Sequence, residues 1–266
     1  MKKFIASIFT AAILSALPFH TQAASTKWTE LGGGKARMVA VKDPVSDMIS
    51  GLIEVKLDKG WKTYWKSPGG SGIPPEFDFS RSTKLTTKDV RFPTPEWIEL
   101  SDAKFFGYKN SVSFTFEAEA FASDASLHLN MLIGVCEEIC IPAMAELELT
   151  SDQLNTSDPK AGVLVEIAKA ALPQQLPRTA LHASLLQNED GVVLKLKSSV
   201  DNPATTAVLE LPSVWSSDPV EFSQQEDGFA LAKFNLPDRL AKGFVQSDWQ
   251  VNLIEMNAAT RTVSGV

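Results

Sequence analysis

Apolar and polar residues alternate with period two through GLIEVKL (Gly51 to Leu57), SVSFTFEAEAF (Ser111 to Phe121), SLHLNMLIGV (Ser126 to Val135) and AELELT (Ala145 to Thr150). Alternation of this kind sends successive side chains to opposite faces, so these segments are predicted to be half-buried β-strands. Turn signals separate them, among them Asp58-Lys59-Gly60 and the SPGGSGIPP run from Ser67 to Pro75. Short alternating strands between Pro/Gly turns predict an antiparallel sandwich.

The polar stretch SDQLNTSDPK (Ser151 to Lys160) interrupts the alternation. An amphipathic segment, GVLVEIAKAAL (Gly162 to Leu172), follows and stops at Pro173; it is the helix predicted for the mature chain. Alternation resumes at VVLKLKSS (Val192 to Ser199), TAVLELP (Thr206 to Pro212), FALAKFNL (Phe229 to Leu236) and WQVNLIEM (Trp249 to Met256). The pattern thus divides the chain into a β-domain over 24–150, a linker with a short helix over 151–175, and a second, smaller β-domain over 176–266. The expected fold class is all-β: one β-sandwich followed by a smaller sandwich-like domain. The GGGK run (Gly32 to Lys35) lacks the rest of a phosphate loop and reads as a turn.

The first 23 residues change the picture. MKKFIASIFTAAILSALPFHTQA carries two lysines, an apolar run and small residues before Ala23, the layout of a secretory signal peptide. The apolar run of about 15 residues falls short of the ~20 that span a bilayer, although a retained signal anchor is the alternative reading. The expected location is the periplasm, and no later run of that length follows. Formal charge is −7 over the whole sequence. Loss of Lys2 and Lys3 with the signal takes it to about −9. Such a chain has no electrostatic case for nucleic acid or anionic lipid. About 243 residues remain, enough to bury a core without help from a disulfide.

The chain has two cysteines, Cys136 and Cys140, in GVCEEICIP. In an oxidising compartment they are a disulfide by default. Residues four apart on an extended strand lie ~13 Å from one another, whereas a disulfide needs Cα atoms roughly 4.4–6.8 Å apart, so the chain must bend within CEEIC. A turn over Cys136 to Pro142, with strands on either side, would place the pair at the tip or shoulder of a hairpin. As a staple the bond is weak: so short a loop gives only ~2 kcal/mol. Three readings stay open, a redox couple, a structural staple and a Cu(I) site in which the thiolates act with Met131, Met144 and His128. Glu137 and Glu138 disfavour a thiolate and argue for the reducing side of a redox couple.

Three segments share a likeness beyond composition. GWKTYWKSPGGSGIPPEFDF (Gly60 to Phe79), FFGYK (Phe105 to Lys109) and VCEEICIPA (Val135 to Ala143) resemble the N-terminal periplasmic domain family of the thiol–disulfide interchange protein DsbD, in particular its ScsB-like branch. The likeness runs over roughly residues 28–150 and implies an immunoglobulin-like sandwich. It also implies a thiol–disulfide oxidoreductase-type electron relay, with a redox-active disulfide in place of a cofactor. Its donor would be a membrane thiol reductase of the CcdA/DsbD kind, and its acceptors periplasmic thioredoxin-like proteins. Cys140 then matches the cysteine that forms mixed disulfides and Cys136 the resolving one. Phe105 matches an aromatic on a cap loop, beside Phe106, and Tyr64 a tyrosine near the site. The sequence departs from the family in its shorter cysteine spacing and in Asp102-Ala103-Lys104 ahead of the cap aromatic. It stops at Val266 without the membrane-embedded and thioredoxin regions of full-length DsbD, so the expected electron source is another polypeptide. The ScsB branch, named for suppression of copper sensitivity, keeps a copper-tolerance role as the alternative.

The remaining features are assigned by default. Trp61 and Trp65 read as core, and Tyr64 equally as core or as a wall of the disulfide site. Pro142 fixes the chain leaving the redox turn. His128 and His182 read as surface residues, and no Ser/His/Asp arrangement is suggested. Trp215, Phe244 and Trp249 read as core of the second domain. Nothing in the sequence sets an oligomeric state.

Overall fold

The computed structural model describes residues 24–69, 72–100, 103–156, 158–175, 181–188, 191–198, 206–211, 215–224, 230–235, 250–254 and 261–264. The signal segment over 1–23 lies outside the described residues, as do Phe244 and Trp249 and the side chains of His182 and Trp215.

The first sandwich begins with β1 (Thr29–Glu30), β2 (Gly34–Lys42), β3 (Met48–Leu57), β4 (Lys62–Tyr64), β5 (Glu76–Asp78) and β6 (Leu85–Thr87). It continues with β7 (Glu96–Leu100), β8 (Ala103–Lys109), β9 (Ser111–Ala120), β10 (Leu127–Cys136) and β11 (Cys140–Leu149). One sheet runs β1-β2-β3-β9-β6; the other runs β11-β10-β4-β8-β7, with β5 also on β10. Between them Met38, Ile53, Phe114 and Phe116 meet Phe106, Leu127, Leu129, Met131 and Ile133 in one buried core. Each fully buried side chain of this size contributes roughly 1.5–3 kcal/mol relative to exposure, so the first sandwich does not lean on its disulfide.

Two strands escape a period-two reading for the same reason: both of their faces are covered. In β2 the inward Ala36, Met38 and Ala40 alternate with Val39, which is also buried. The cover on Val39 is a helix. Asp158 caps α2 (Pro159–Ala170), its carboxylate accepting from the Lys160 and Ala161 amides, with Pro159 opening the first turn. Ala161, Val165 and Ala168 of α2 then pack with Val39, Leu52 and Ala24 on the outside of the first sheet. The helix therefore starts earlier than the apolar run from Gly162 implies, and a preceding turn, α1 (Ser151–Leu154), is closed by a Thr150–Gln153 capping box. In β8 both Phe105 and Phe106 are buried, one on each face.

The second region holds β12 (Gln174–Gln175), β13 (Leu181–Asn188), β14 (Gly191–Ser198), β15 (Thr206–Leu211) and β16 (Trp215–Ser216). Further along are β17 (Val220–Glu221), β18 (Ser223–Gln224), β19 (Ala230–Phe234), β20 (Gln250–Ile254) and β21 (Arg261–Ser264). Its sheets run β12-β21-β20-β15-β16, with β17 on β15, and β13-β14-β19-β18. The architecture is all-β, a sandwich followed by a smaller one.

His128 corrects an expectation. It points away from Leu127 and Leu129, yet it is buried rather than at the surface. The chain at Ser82 lies over it: Ser82 Oγ accepts from the His128 amide at 3.0 Å and donates to its carbonyl at 3.2 Å. Its Nε2 sits 2.8 Å from Glu146 Oε1, off the direction of a hydrogen bond.

Candidate functional site: a disulfide under a tyrosine

Strands β10 and β11 are paired without slippage from Leu127↔Leu149 to Cys136↔Cys140. The two cysteines are thus directly opposite, at a Cα separation of 4.2 Å, and are joined as a disulfide. Only Glu137, Glu138 and Ile139 form the tip, so the turn is tighter than the expected Cys136–Pro142 span. Pro142 lies within β11 opposite Gly134. Since β11 is the last strand of its sheet, a residue without an N–H is tolerated there.

The two halves of the bond have different surroundings. Cys136 is 0% exposed, whereas Cys140 is exposed. Glu137 and Glu138 are exposed at the tip, with the Glu137 carboxylate beside the turn at Gly60. Exposed apolar side chains lie along the same hairpin: Ile139 at the tip is 76% exposed, Met144 on β11 is 78% exposed, and Ile141 also reaches solvent.

Over the sulfurs stands Tyr64. Its hydroxyl lies 2.9 Å from Cys136 Sγ and 2.8 Å from Cys140 Sγ. Its strand, β4, is held between β10 and β8 by Thr63↔Val135 and Tyr64↔Gly107, and Thr63 Oγ1 donates to the Gly134 carbonyl at 2.7 Å. Glycine at 134 makes room for the ring: a Cβ there would come within 2.7 Å of it. Glycine at 107 does the same for backbone, since a Cβ would lie 2.2 Å from the Thr63 carbonyl oxygen. Burial raises the Tyr64 pKa, which keeps the phenol protonated and able to donate.

Phe105 closes the other side, its ring centroid 4.7 Å from that of Tyr64. With Ile98 and Cys136 these two form a small buried cluster, edged by Ile73 and Leu100. The shield is carried by a strand of the β7–β8 hairpin rather than by a free loop. Phe106 does not take part, contrary to expectation. One residue along a strand reverses the face, so Phe106 packs on Trp65 (5.6 Å) and Trp97 (4.6 Å) in the main core. Trp65 is buried core and Trp61 half-buried against it. Sequence reasoning missed Ile98, Gly107 and Gly134. Only the last two left any signal, as glycines inside strands.

The residues considered for copper do not converge on the sulfurs. Met131 is buried in the core; Met144 shares the outer face of β11 with Cys140 but lies four residues along it, roughly 13 Å away; and His128 sits eight residues down β10, at roughly 27 Å. Among the described residues no cluster of His, Cys, Asp and Glu is arranged to hold a metal.

The comparisons agree with this geometry. Residues 35–152 match the family described as "Thiol:disulfide interchange protein DsbD, N-terminal", and this part of the chain is a DsbD N-terminal-like domain. The fold is similar to that in the crystal structure of the N-terminal periplasmic domain of ScsB from Proteus mirabilis, at 20% identity and a TM-score of 0.71. That similarity covers 92% of this chain and 100% of the other, so it extends over both β-regions. No curated protein sequence is significantly similar to this chain.

Proposed function

We propose that the protein is a periplasmic thiol–disulfide relay in which Cys136 and Cys140 alternate between disulfide and dithiol. The observation that carries this is the asymmetry of the bond: one cysteine open to a partner, the other sealed under a phenol that reaches both sulfurs. A staple needs no such arrangement. The family of residues 35–152 supports the same reading.

In the reducing step a thiolate of a membrane reductase attacks Cys140 Sγ. The S–S bond breaks, its electron pair leaves on Cys136 Sγ, and Tyr64 stabilises that thiolate by donating its O–H. The reductase's second thiolate then attacks its own sulfur in the mixed disulfide and releases Cys140. The reductase ends as a disulfide and this protein as a dithiol. In the delivering step Cys140 attacks the disulfide of a thioredoxin-like acceptor, and Cys136 resolves the mixed disulfide, releasing the acceptor as a dithiol. Two electrons and two protons move in each step. The exposed Ile139, flanked at the tip by the exposed Glu137 and Glu138, suits partners that bring an apolar contact and basic residues up to the reactive cysteine.

Cys136→Ala is expected to accumulate a mixed disulfide through Cys140 with a thioredoxin-like protein in periplasmic extract, and Cys140→Ala none. Equal absence from both variants sinks the relay. The copper alternative draws no support from the positions of His128, Met131 and Met144.

A further inference from the structure

The second β-region touches the first sandwich at the segment that carries the site. Residues 65–68 follow directly on Tyr64. On one side they are bonded to β8: the Trp65 amide donates to the Phe106 carbonyl, and the Phe106 amide donates to the Pro68 carbonyl, each at 2.9 Å. On the other side they are bonded to β15 and β16. Glu210, itself buried, places Oε2 3.1 Å from Lys66 Nζ. Ser216 Oγ donates to the Ser67 carbonyl at 2.8 Å, also buried. Val208, next to Glu210 on β15, is fully enclosed and belongs to the core of the first sandwich. Asp218 acts on Lys104, the residue before Phe105: Glu99 is the main cause of that lysine's raised pKa, and Asp218 adds to it.

We propose that the second β-region is a brace for the disulfide shield, with Glu210 and Ser216 as positioning residues that hold 65–68, and through them Tyr64 and the Phe105 strand, closed over Cys136. The cluster on Cys136 is small and lies on the outer face of its sheet, so its local opening is the low-cost motion of this site. Opening that moves residues 65–68 must break an ion pair whose carboxylate is buried and a buried hydrogen bond, and taking the cation away from a buried carboxylate is disfavoured. The family match ends at residue 152, so nothing in it accounts for these contacts. The inference takes from the proposed function only that Cys136 is the protected sulfur.

The test uses the full chain in a Cys140→Ala background, where Cys136 is the sole thiol, and measures its rate of alkylation by iodoacetamide. Glu210→Gln combined with Ser216→Ala is expected to raise that rate about tenfold, through lost bonds that oppose opening. The rise should appear without urea and stay flat in dilute urea, as for local opening. With Ser216 kept, the exchanged pair Lys66→Glu/Glu210→Lys should alkylate more slowly than Glu210→Gln alone. A change smaller than about twofold in the double variant overturns the brace. So does a rise that tracks the urea dependence of global unfolding, or an exchanged pair no slower than Glu210→Gln. Partner trapping is not involved, so failure of the relay and failure of the brace are told apart.

Discussion

Strand β8 presents two faces built from the same kind of residue. On the inner face Phe106 and Tyr108 join an aromatic network: Phe106 with Trp65 and Trp97, Tyr108 with Phe114. On the outer face Phe105 clusters, among the described residues, with buried Tyr64, Ile98 and Cys136, edged by Ile73 and Leu100. Ring size and burial are alike on the two faces, but the surroundings differ. An aromatic in the main core is held by packing on every side and contributes to stability. One in a small outer cluster contributes less, and what it chiefly does is decide whether the sulfur beneath it meets solvent.

The largest effect should separate the two phenylalanines. Phe106→Ala is expected to cost about 3–5 kcal/mol in urea unfolding, through lost burial and the cavity left in a well-packed core. Phe105→Ala should cost clearly less, because its few neighbours can collapse, yet it should speed reduction of the disulfide by dithiothreitol. Equal stability losses with equal reduction rates would erase the distinction between the faces.

Tyr64 sharpens the comparison by acting in the opposite direction. Tyr64→Phe keeps the ring over the sulfurs and removes only the donor. A hydrogen bond to a developing charge is worth ~1.5–3 kcal/mol, so reduction should slow by about tenfold or more. Thus Phe105→Ala accelerates the reaction and Tyr64→Phe retards it. Gly134→Ala, whose Cβ would lie 2.7 Å from the Tyr64 ring, should displace cover and donor together and so slow reduction less than Tyr64→Phe does. If Tyr64→Phe instead accelerates reduction, the phenol is a cover and not a donor.

The same two faces explain what could be read from the sequence. Strands β3, β9 and β10 were legible because one face of each is consistently apolar. The cysteine hairpin was legible because a four-residue spacing can close a disulfide only through a bend. Strands β2 and β8 were not, because helix α2 covers one and the disulfide cluster lies over the other, and a strand covered twice has no alternation. Likeness to the family pointed to Phe105 and Tyr64, but only the fold separates Phe105 from Phe106. Contacts such as Ser216 with Ser67, 149 residues apart, leave no local trace. His128 misled because a polar residue on the outer side of a strand is ordinarily solvated, and here the chain at Ser82 covers it.

The smallest effect belongs to the two tyrosines at alkaline pH. Burial raises the pKa of both, and at Tyr108 the charge of Glu210 adds to it, so Tyr108 lies well above the ordinary value and Tyr64 moves less. A phenol whose pKa is raised by folding gives stability that is complete below the unfolded value of about 10. That stability is lost as pH climbs through the folded pKa, since the unfolded chain gains from ionisation first. Urea midpoints should therefore hold up to about pH 9 and fall by pH 11. Tyr108→Phe, which also gives up the bond from its hydroxyl to the Pro93 carbonyl at 2.8 Å, should cost about 1 kcal/mol at neutral pH. In return it should flatten the alkaline fall more than Tyr64→Phe does. Equal flattening by the two variants would mean that the outer tyrosine is as firmly enclosed as the inner one, and that the shield over Cys136 does not open on its own.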